Sequence, residues 1–261
     1  MFKVSKSGRV SFKMSFFTNN PSLFVFSNEE LEKMADLYRN DYDNGKPFPS
    51  LIIDDFLPFK VARQVLKVFP SENDKFWLDW TKRDTLHQPK KQGVGHALRL
   101  EGVDPYLHHI LAAFNSFPFL NFLEKLTGIK YLLSDPYFHG GGIHQTLPGG
   151  KLSIHTDFNL LKDLGLYRRI NVILYLNESW KDEYGGDLEL WNEDKSQCEA
   201  KIAPLFNRLA IFETNKKTFH GHPAPLNTPA GITRKSLALY YYTAAPMQGD
   251  AYDKKTIWLD T

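Results

Sequence analysis

The sequence predicts a mostly β protein with flanking helices, built on a sandwich or jelly roll. Two observations carry that prediction. From Lys130 onward, short apolar runs alternate with turn signals: Pro148-Gly149-Gly150, Asn177 to Gly186, Asn192 to Lys195 and Gly221 to Gly231. Short strands at this density pack as two sheets. Before Lys130 the apolar residues recur at helical spacing, so helices are expected to cover one outer face.

The elements follow in order. Ser27-Asn28-Glu29-Glu30 has the side chains of a helix start, an N-cap followed by acidic residues that favour the positive helix end. Leu31, Met34, Ala35 and Tyr38 then form one apolar stripe, and Asp43 to Pro47 breaks the helix. Phe48 to Phe56 reads as a strand, and Pro58 opens a helix carrying Val61, Val65, Leu66 and Phe69. Trp77, Trp80 and the polar run from Thr81 to Gly95 read as irregular. Two further helices are predicted near Asp104 to Asn115 and Pro118 to Leu126, the second stopped by Gly128. The predicted strands are Lys130–Asp135, Gly142–Thr146, Ser153–Asp157, Arg169–Leu176, Gly186–Trp191, Arg208–Glu213 and Arg234–Thr243.

Composition narrows the function classes. With 32 basic and 30 acidic residues in 261, the formal charge is +2, and this balance gives no sign of a nucleic-acid surface or a charged tail. Hydrophobic residues make up 42%, enough for a substantial core. No apolar run approaches the roughly 20 residues of a membrane helix. Met1 to Ser15 mixes Lys3, Lys6, Arg9 and Lys13 with apolar residues, unlike a signal peptide. Cys198 is the only cysteine, so no intrachain disulfide forms and a reducing, cytoplasmic setting is expected. Oligomeric state is not legible.

His155-Thr156-Asp157 is the strongest local signal. Residues two apart on a strand point to one face, so the imidazole and the carboxylate project together. A histidine from a later strand would complete a two-histidine, one-carboxylate set, which leaves metal positions open for other ligands. The run Leu209 to Glu213 leads through Phe219 into His220-Gly221-His222. Either histidine fits, and His220 is preferred because Gly221 permits close backbone approach. His222 is expected on the surface, and most of His87, His96, His108, His109, His139 and His144 in surface or structural positions, with no role assigned to any of them.

Alternation along the strand after Arg234 puts Arg234, Ser236, Ala238 and Tyr240 on one face. An inward arginine is costly unless it meets an anion, and a dicarboxylate matches its planar fork; an ordinary surface arginine is the plain alternative. Arg169 to Asn177 is apolar on both faces, with Asn171 and Tyr175 sharing one. The Tyr175 hydroxyl needs a partner, either the same anion or a backbone group.

Taken in order, six blocks resemble the prolyl-4-hydroxylase-like group of 2-oxoglutarate/Fe(II)-dependent dioxygenases. They are Leu152 to Asp157, Val172 to Asn177 with Trp180, Gly185 to Trp191, Asn207 to Glu213, Thr218 to Gly221, and Arg234 to Leu237. More faintly, Phe48 to Leu57 looks like the opening of prolyl hydroxylases acting on ribosomal protein. The resemblance implies a double-stranded β-helix (jelly roll, cupin-like) core. It also implies Fe(II) on His155, Asp157 and His220, with Arg234 on the distal carboxylate of 2-oxoglutarate and Tyr175 assisting. Ser236 and Asn171 are carried with these as cosubstrate-side residues, O2 is the second cosubstrate, and ascorbate is an accessory the family admits.

Two departures stand out: the interval from His220 to Arg234 is longer than many members have, and Gln145 sits where many place a tyrosine. The expected organisation is one dioxygenase domain over residues 1–261. Within it, a helical and irregular N-terminal region (residues 1–129) packs on the β-helix core (residues 130–245). The expected activity is hydroxylation of an unactivated C–H bond, first a prolyl residue in a peptide or protein. The alternatives are a small metabolite as substrate (amino acid, lipid or sugar-linked), or a non-catalytic β-helix binding module.

Overall fold

The computed structural model describes residues 24–79, 84–94, 100–246 and 255–259. The readings at Met1 to Ser15, Trp80 and His96 lie outside the described residues.

Among the described residues four α-helices form: α1 (Asn28–Asp43), α2 (Phe59–Lys67), α3 (Pro105–Phe114) and α4 (Phe117–Thr127). Ser27 caps α1 by accepting from the Glu30 backbone N–H at 3.3 Å, which satisfies one of the amides a helix start leaves open. Gly128 ends α4 in the left-handed region, at φ 75°, a conformation costly for any side-chain-bearing residue.

The strands are β1 (Ser50–Ile53), β2 (Leu78–Asp79), β3 (Lys91–Val94), β4 (Leu133–Ser134), β5 (Gly142–Thr146), β6 (Leu152–Thr156), β7 (Leu160–Leu161), β8 (Leu166–Tyr175), β9 (Leu188–Trp191), β10 (Cys198–Ile202), β11 (Arg208–Glu213), β12 (Phe219–His222), β13 (Arg234–Thr243) and β14 (Ile257–Trp258). They pair into two antiparallel sheets. The major sheet runs β1-β11-β8-β13-β5-β3-β2, and the minor sheet runs β10-β9-β12-β6-β14. From β5 onward the chain passes repeatedly between the sheets, which produces the double-stranded β-helix the resemblance implied.

Alternation divides the apolar residues into two cores. Ile170, Val172, Leu174, Leu237, Leu239 and Tyr241 face outward from the major sheet into the helices, where they join Leu31, Phe56, Leu107 and Phe119. Phe48, Tyr175, Leu188, Leu190, Ala210 and Phe212 pack between the sheets. The helical first half therefore stiffens the back of the sheet whose front forms the cavity.

Several elements differ from the sequence expectation. The irregular run Thr81 to Gly95 contains β3, which pairs with β5 through Lys91↔Thr146 and Gly93↔His144. The first half thus adds strands as well as helices to the β core. The short strands β10 and β12 are additions to the expected set, and so is β14, which lies beyond the expected end of the core at residue 245.

Candidate metal centre and its cavity

Register brings the histidines together. On the minor sheet, β12 pairs with β6 so that His220 sits opposite His155. The approach is close: a Cβ on Gly221 would lie 2.7 Å from the Leu152 and Ser153 carbonyl oxygens, so only glycine fits between the two ligand strands. Asp157 follows β6 directly. One oxygen of its carboxylate lies 3.5 Å from His155 Nε2, and the other lies 3.3 Å from His220 Nε2. One ligand atom from each of the three residues lies within 4.8 Å of the others.

The donor set fits a divalent metal. His155 Nδ1 lies 2.8 Å from the Ser153 carbonyl oxygen, and His220 Nδ1 lies 3.1 Å from that of Thr218. A carbonyl only accepts, so each Nδ1 carries the proton and each Nε2 lone pair is left to bind. Burial, and then His220 beside it, holds the His155 pKa below the ordinary histidine range, which keeps the neutral ligand form. Burial works against charge on Asp157, but Arg168 and the two imidazoles outweigh it, and its carboxyl stays well below the usual range.

Arg168 was missed in the sequence. Its guanidinium is buried and donates through Nη2 to Asp157 at 2.9 Å. It also donates to Asn171 Oδ1 through Nε at 2.9 Å and Nη2 at 2.6 Å, and it lies 3.3 Å from the Tyr240 ring centre. Asn171 in turn donates to Asp157 Oδ2 at 2.8 Å. Strict alternation puts Arg168 and Asn171 on opposite faces. The register shifts between Tyr241↔Ile170 and Tyr242↔Arg168, and this bulge turns Arg168 inward. A pair of arginines entering an apolar strand was the available signal.

The cavity is lined by both sheets: His155, His220, His222 and Leu188 from the minor, and Lys91, His144, Thr146, Asn171, Arg234, Ser236 and Tyr240 from the major. Arg234 is buried; its Nε donates to the Gly186 carbonyl at 2.7 Å and its Nη2 to the Tyr175 hydroxyl at 3.2 Å. Both partners are neutral. Gly186 gives the arginine room, since a Cβ there would lie 3.1 Å from Arg234 Cδ and 2.5 Å from Leu226.

Four expectations change. His222 is not a surface histidine: it is buried, lines the cavity, and burial followed by the nearby Arg234 holds it neutral. His144 also lines the cavity, and burial pushes its pKa down to about 3. Lys91 enters from the run that reads as irregular, and burial lowers it to about 8. Gln145 faces away from the cavity, where it donates to Gln92 at 2.7 Å and accepts from Thr233 at 2.9 Å. Trp258 of β14 packs on the His155 ring at 4.8 Å and stacks on His87 at 4.6 Å.

Residues 141–242, which hold the triad and Arg234, match the family described as the 2OG-Fe(II) oxygenase superfamily. The matched stretch is less than half of the chain. Its donor set and buried arginine accord with that family's metal and keto acid, Fe(II) and 2-oxoglutarate. Prolyl 3-hydroxylase sudestada1 of Drosophila melanogaster is 39% identical over 109 residues, which is 38% of this chain and 18% of that protein. Prolyl 3-hydroxylase OGFOD1 of Mus musculus is 39% identical over 57 residues, 20% of this chain and 10% of that protein. The chain thus matches less than a fifth of the length of either relative. Two solved structures share the fold. A Trichoplax adhaerens prolyl hydroxylase bound to a hypoxia-inducible-factor peptide has TM-score 0.55 at 16% identity, over 82% of this chain and 91% of that one. A Phytophthora capsici prolyl 4-hydroxylase has TM-score 0.54 at 19% identity, over 90% and 72%. No described helix is long and apolar enough to cross a membrane.

Proposed function

We propose that this chain is a 2-oxoglutarate- and Fe(II)-dependent hydroxylase acting on a prolyl residue of a peptide or protein. One observation carries the reading. Two histidines with free Nε2 lone pairs and one carboxylate converge at one end of a cavity, and a buried arginine with only neutral described partners lies at the other. The identity with prolyl 3-hydroxylases supports the prolyl substrate, and the lone Cys198 supports a reducing, cytoplasmic setting.

His155 Nε2, His220 Nε2 and one oxygen of Asp157 hold the metal. When bound, Fe(II) and 2-oxoglutarate supply the oxidising chemistry, in which O2 converts the keto acid to succinate and CO2 and hydroxylates a C–H bond. Arg234 holds the distal carboxylate through charge-assisted bonds, which are stronger than neutral ones, and Tyr175 sets the direction of its fork. Ser236 lines the same wall. Arg168 and Asn171 both grip Asp157, leaving its other oxygen to face the metal. Trp258 covers the edge of His155 and limits access of bulk water.

The test is anaerobic titration with Fe(II) and 2-oxoglutarate, followed by aerobic turnover on a panel of prolyl peptides and small metabolites. A visible charge-transfer band, then succinate with gain of one oxygen atom on a prolyl peptide, is expected. Oxygen gain on a small metabolite alone would move the substrate to that class, and folded protein without the band would point to a non-catalytic binding module.

A further inference from the structure

Strand register sorts the cavity into two levels. His155 and His220 pair at the metal level. Two residues further along β12, His222 lies opposite Leu152. At that second level the major sheet aligns Lys91↔Thr146 and Thr146↔Arg234 across three neighbouring strands. Residues in register on adjacent strands share a face, and Lys91, Thr146, Arg234 and His222 all line the cavity.

Two features of this second level are unexplained by the protein alone. The His222 Nδ1 atom is buried without a hydrogen-bond partner, on a side chain 3% exposed. Native proteins rarely leave such an atom unsatisfied unless a ligand or water completes it. The described hydrogen bond of the Lys91 ammonium is a long one, 3.4 Å to Gln88 Oε1. The anion that acts on it most is Asp157, which Arg168 already engages; an ammonium without a close partner, in a cavity that also holds Arg234, is costly until a further anion arrives. Thr146 stands between the two cations with a hydroxyl of its own.

Resting on the cosubstrate reading above, we infer that Lys91 and His222 join Arg234 in holding the distal carboxylate of the keto acid, Lys91 as a second cation and His222 through Nδ1. The carboxylate then sits among the guanidinium, the ammonium and the imidazole.

The test compares 2-oxoglutarate with 2-oxovalerate, which has the same carbon chain and a methyl in place of the distal carboxylate. Binding to anaerobic protein loaded with Mn(II) is measured by calorimetry, with metal affinity as the fold control. Lys91→Met should weaken 2-oxoglutarate by roughly tenfold to a hundredfold and His222→Leu by roughly threefold to tenfold, from the usual worth of charged and neutral hydrogen bonds. Neither should change 2-oxovalerate. His222→Asn, whose amide nitrogen overlies Nδ1, should recover 2-oxoglutarate binding where His222→Gln does not. If Lys91→Met folds poorly, Lys91→Gln provides the same comparison. Unchanged 2-oxoglutarate affinity, or equal losses for both keto acids, overturns the inference while leaving the cosubstrate site intact. Wild-type protein that binds Mn(II) and neither keto acid overturns the cosubstrate reading itself.

Discussion

Replacing Arg168 with methionine tests whether the Asp157 charge is held by the protein before any metal arrives. The guanidinium is 1% exposed and its Asp157 partner 12% exposed, at 2.9 Å. Removing one partner of a buried pair strands the other charge and costs about 3–5 kcal/mol. At about 2–4 °C per kcal/mol for a chain of this class, the apo Tm should fall by roughly 6–20 °C. Some of that loss has nothing to do with Asp157, because the guanidinium also stacks on Tyr240 and binds Asn171. Those contacts are also lost in an Asp157→Asn background, but there Arg168 is itself the stranded charge, so Arg168→Met should cost much less or even stabilise. The double-mutant cycle in metal-free protein should therefore give a coupling of at least about 2 kcal/mol by urea denaturation. Metal loading should shrink the Arg168→Met penalty, because a cation on Asp157 takes over the compensation. A coupling near zero in apo protein would refute the claim that Arg168 exists to hold the carboxylate charge.

Other consequences are smaller in scope. Arg234→Ala should raise the 2-oxoglutarate concentration for half-maximal binding by at least about tenfold and leave Mn(II) affinity near wild type; equal losses in both would assign Arg234 a structural role. Lys91 has its pKa lowered to about 8 in the fold, against about 10.4 when unfolded. Between those values the unfolded chain binds the extra proton, so apo stability should rise with pH from about 8 to about 10.4, with a slope of at most about 1.4 kcal/mol per pH unit. The difference between wild type and Lys91→Met isolates this slope, and a flat difference curve would contradict the buried-ammonium account. Gly186→Ala puts a Cβ 2.5 Å from Leu226 and 3.1 Å from Arg234 Cδ at a φ of 76°. It should lower stability and keto-acid affinity together, by calorimetry and thermal melts, where a loss of stability alone would separate the turn from the arginine.

The candidate metal centre was more legible in the sequence than the cavity around it. His-x-Asp on a strand, Gly221 beside His220, and the alternation of Arg234, Ser236 and Tyr240 are local patterns, and local geometry was enough to read them. Lys91 and His144 depend on β3 pairing with β5, a contact between distant segments in which β3 shows no apolar alternation: Lys91-Gln92-Gly93-Val94 looks like loop. His222 was misplaced because Gly221 and Pro223 read as loop punctuation, whereas Gly221 is there for the close packing of β12 on β6. Arg168 was hidden by a bulge, which breaks the alternation rule on which strand-face assignment rests.

The two levels of the cavity explain why its components must be built on strands. Two residues along a strand cover roughly 6.5–7 Å, so His220 and His222 project into the same space about one short dicarboxylate apart. The major sheet repeats that spacing on the opposite wall, where Arg234 and Ser236 lie on one face of β13 and Thr146 and His144 on one face of β5. Pairing fixes each residue's height against its neighbours, and a one-residue slip of β13 would turn Arg234 out of the cavity and Lys235 into it. In the proposed reading the spacing of the site is set by backbone hydrogen bonds rather than by flexible side chains, and the helical core behind the major sheet, in which Leu237 and Leu239 are buried, opposes that slip.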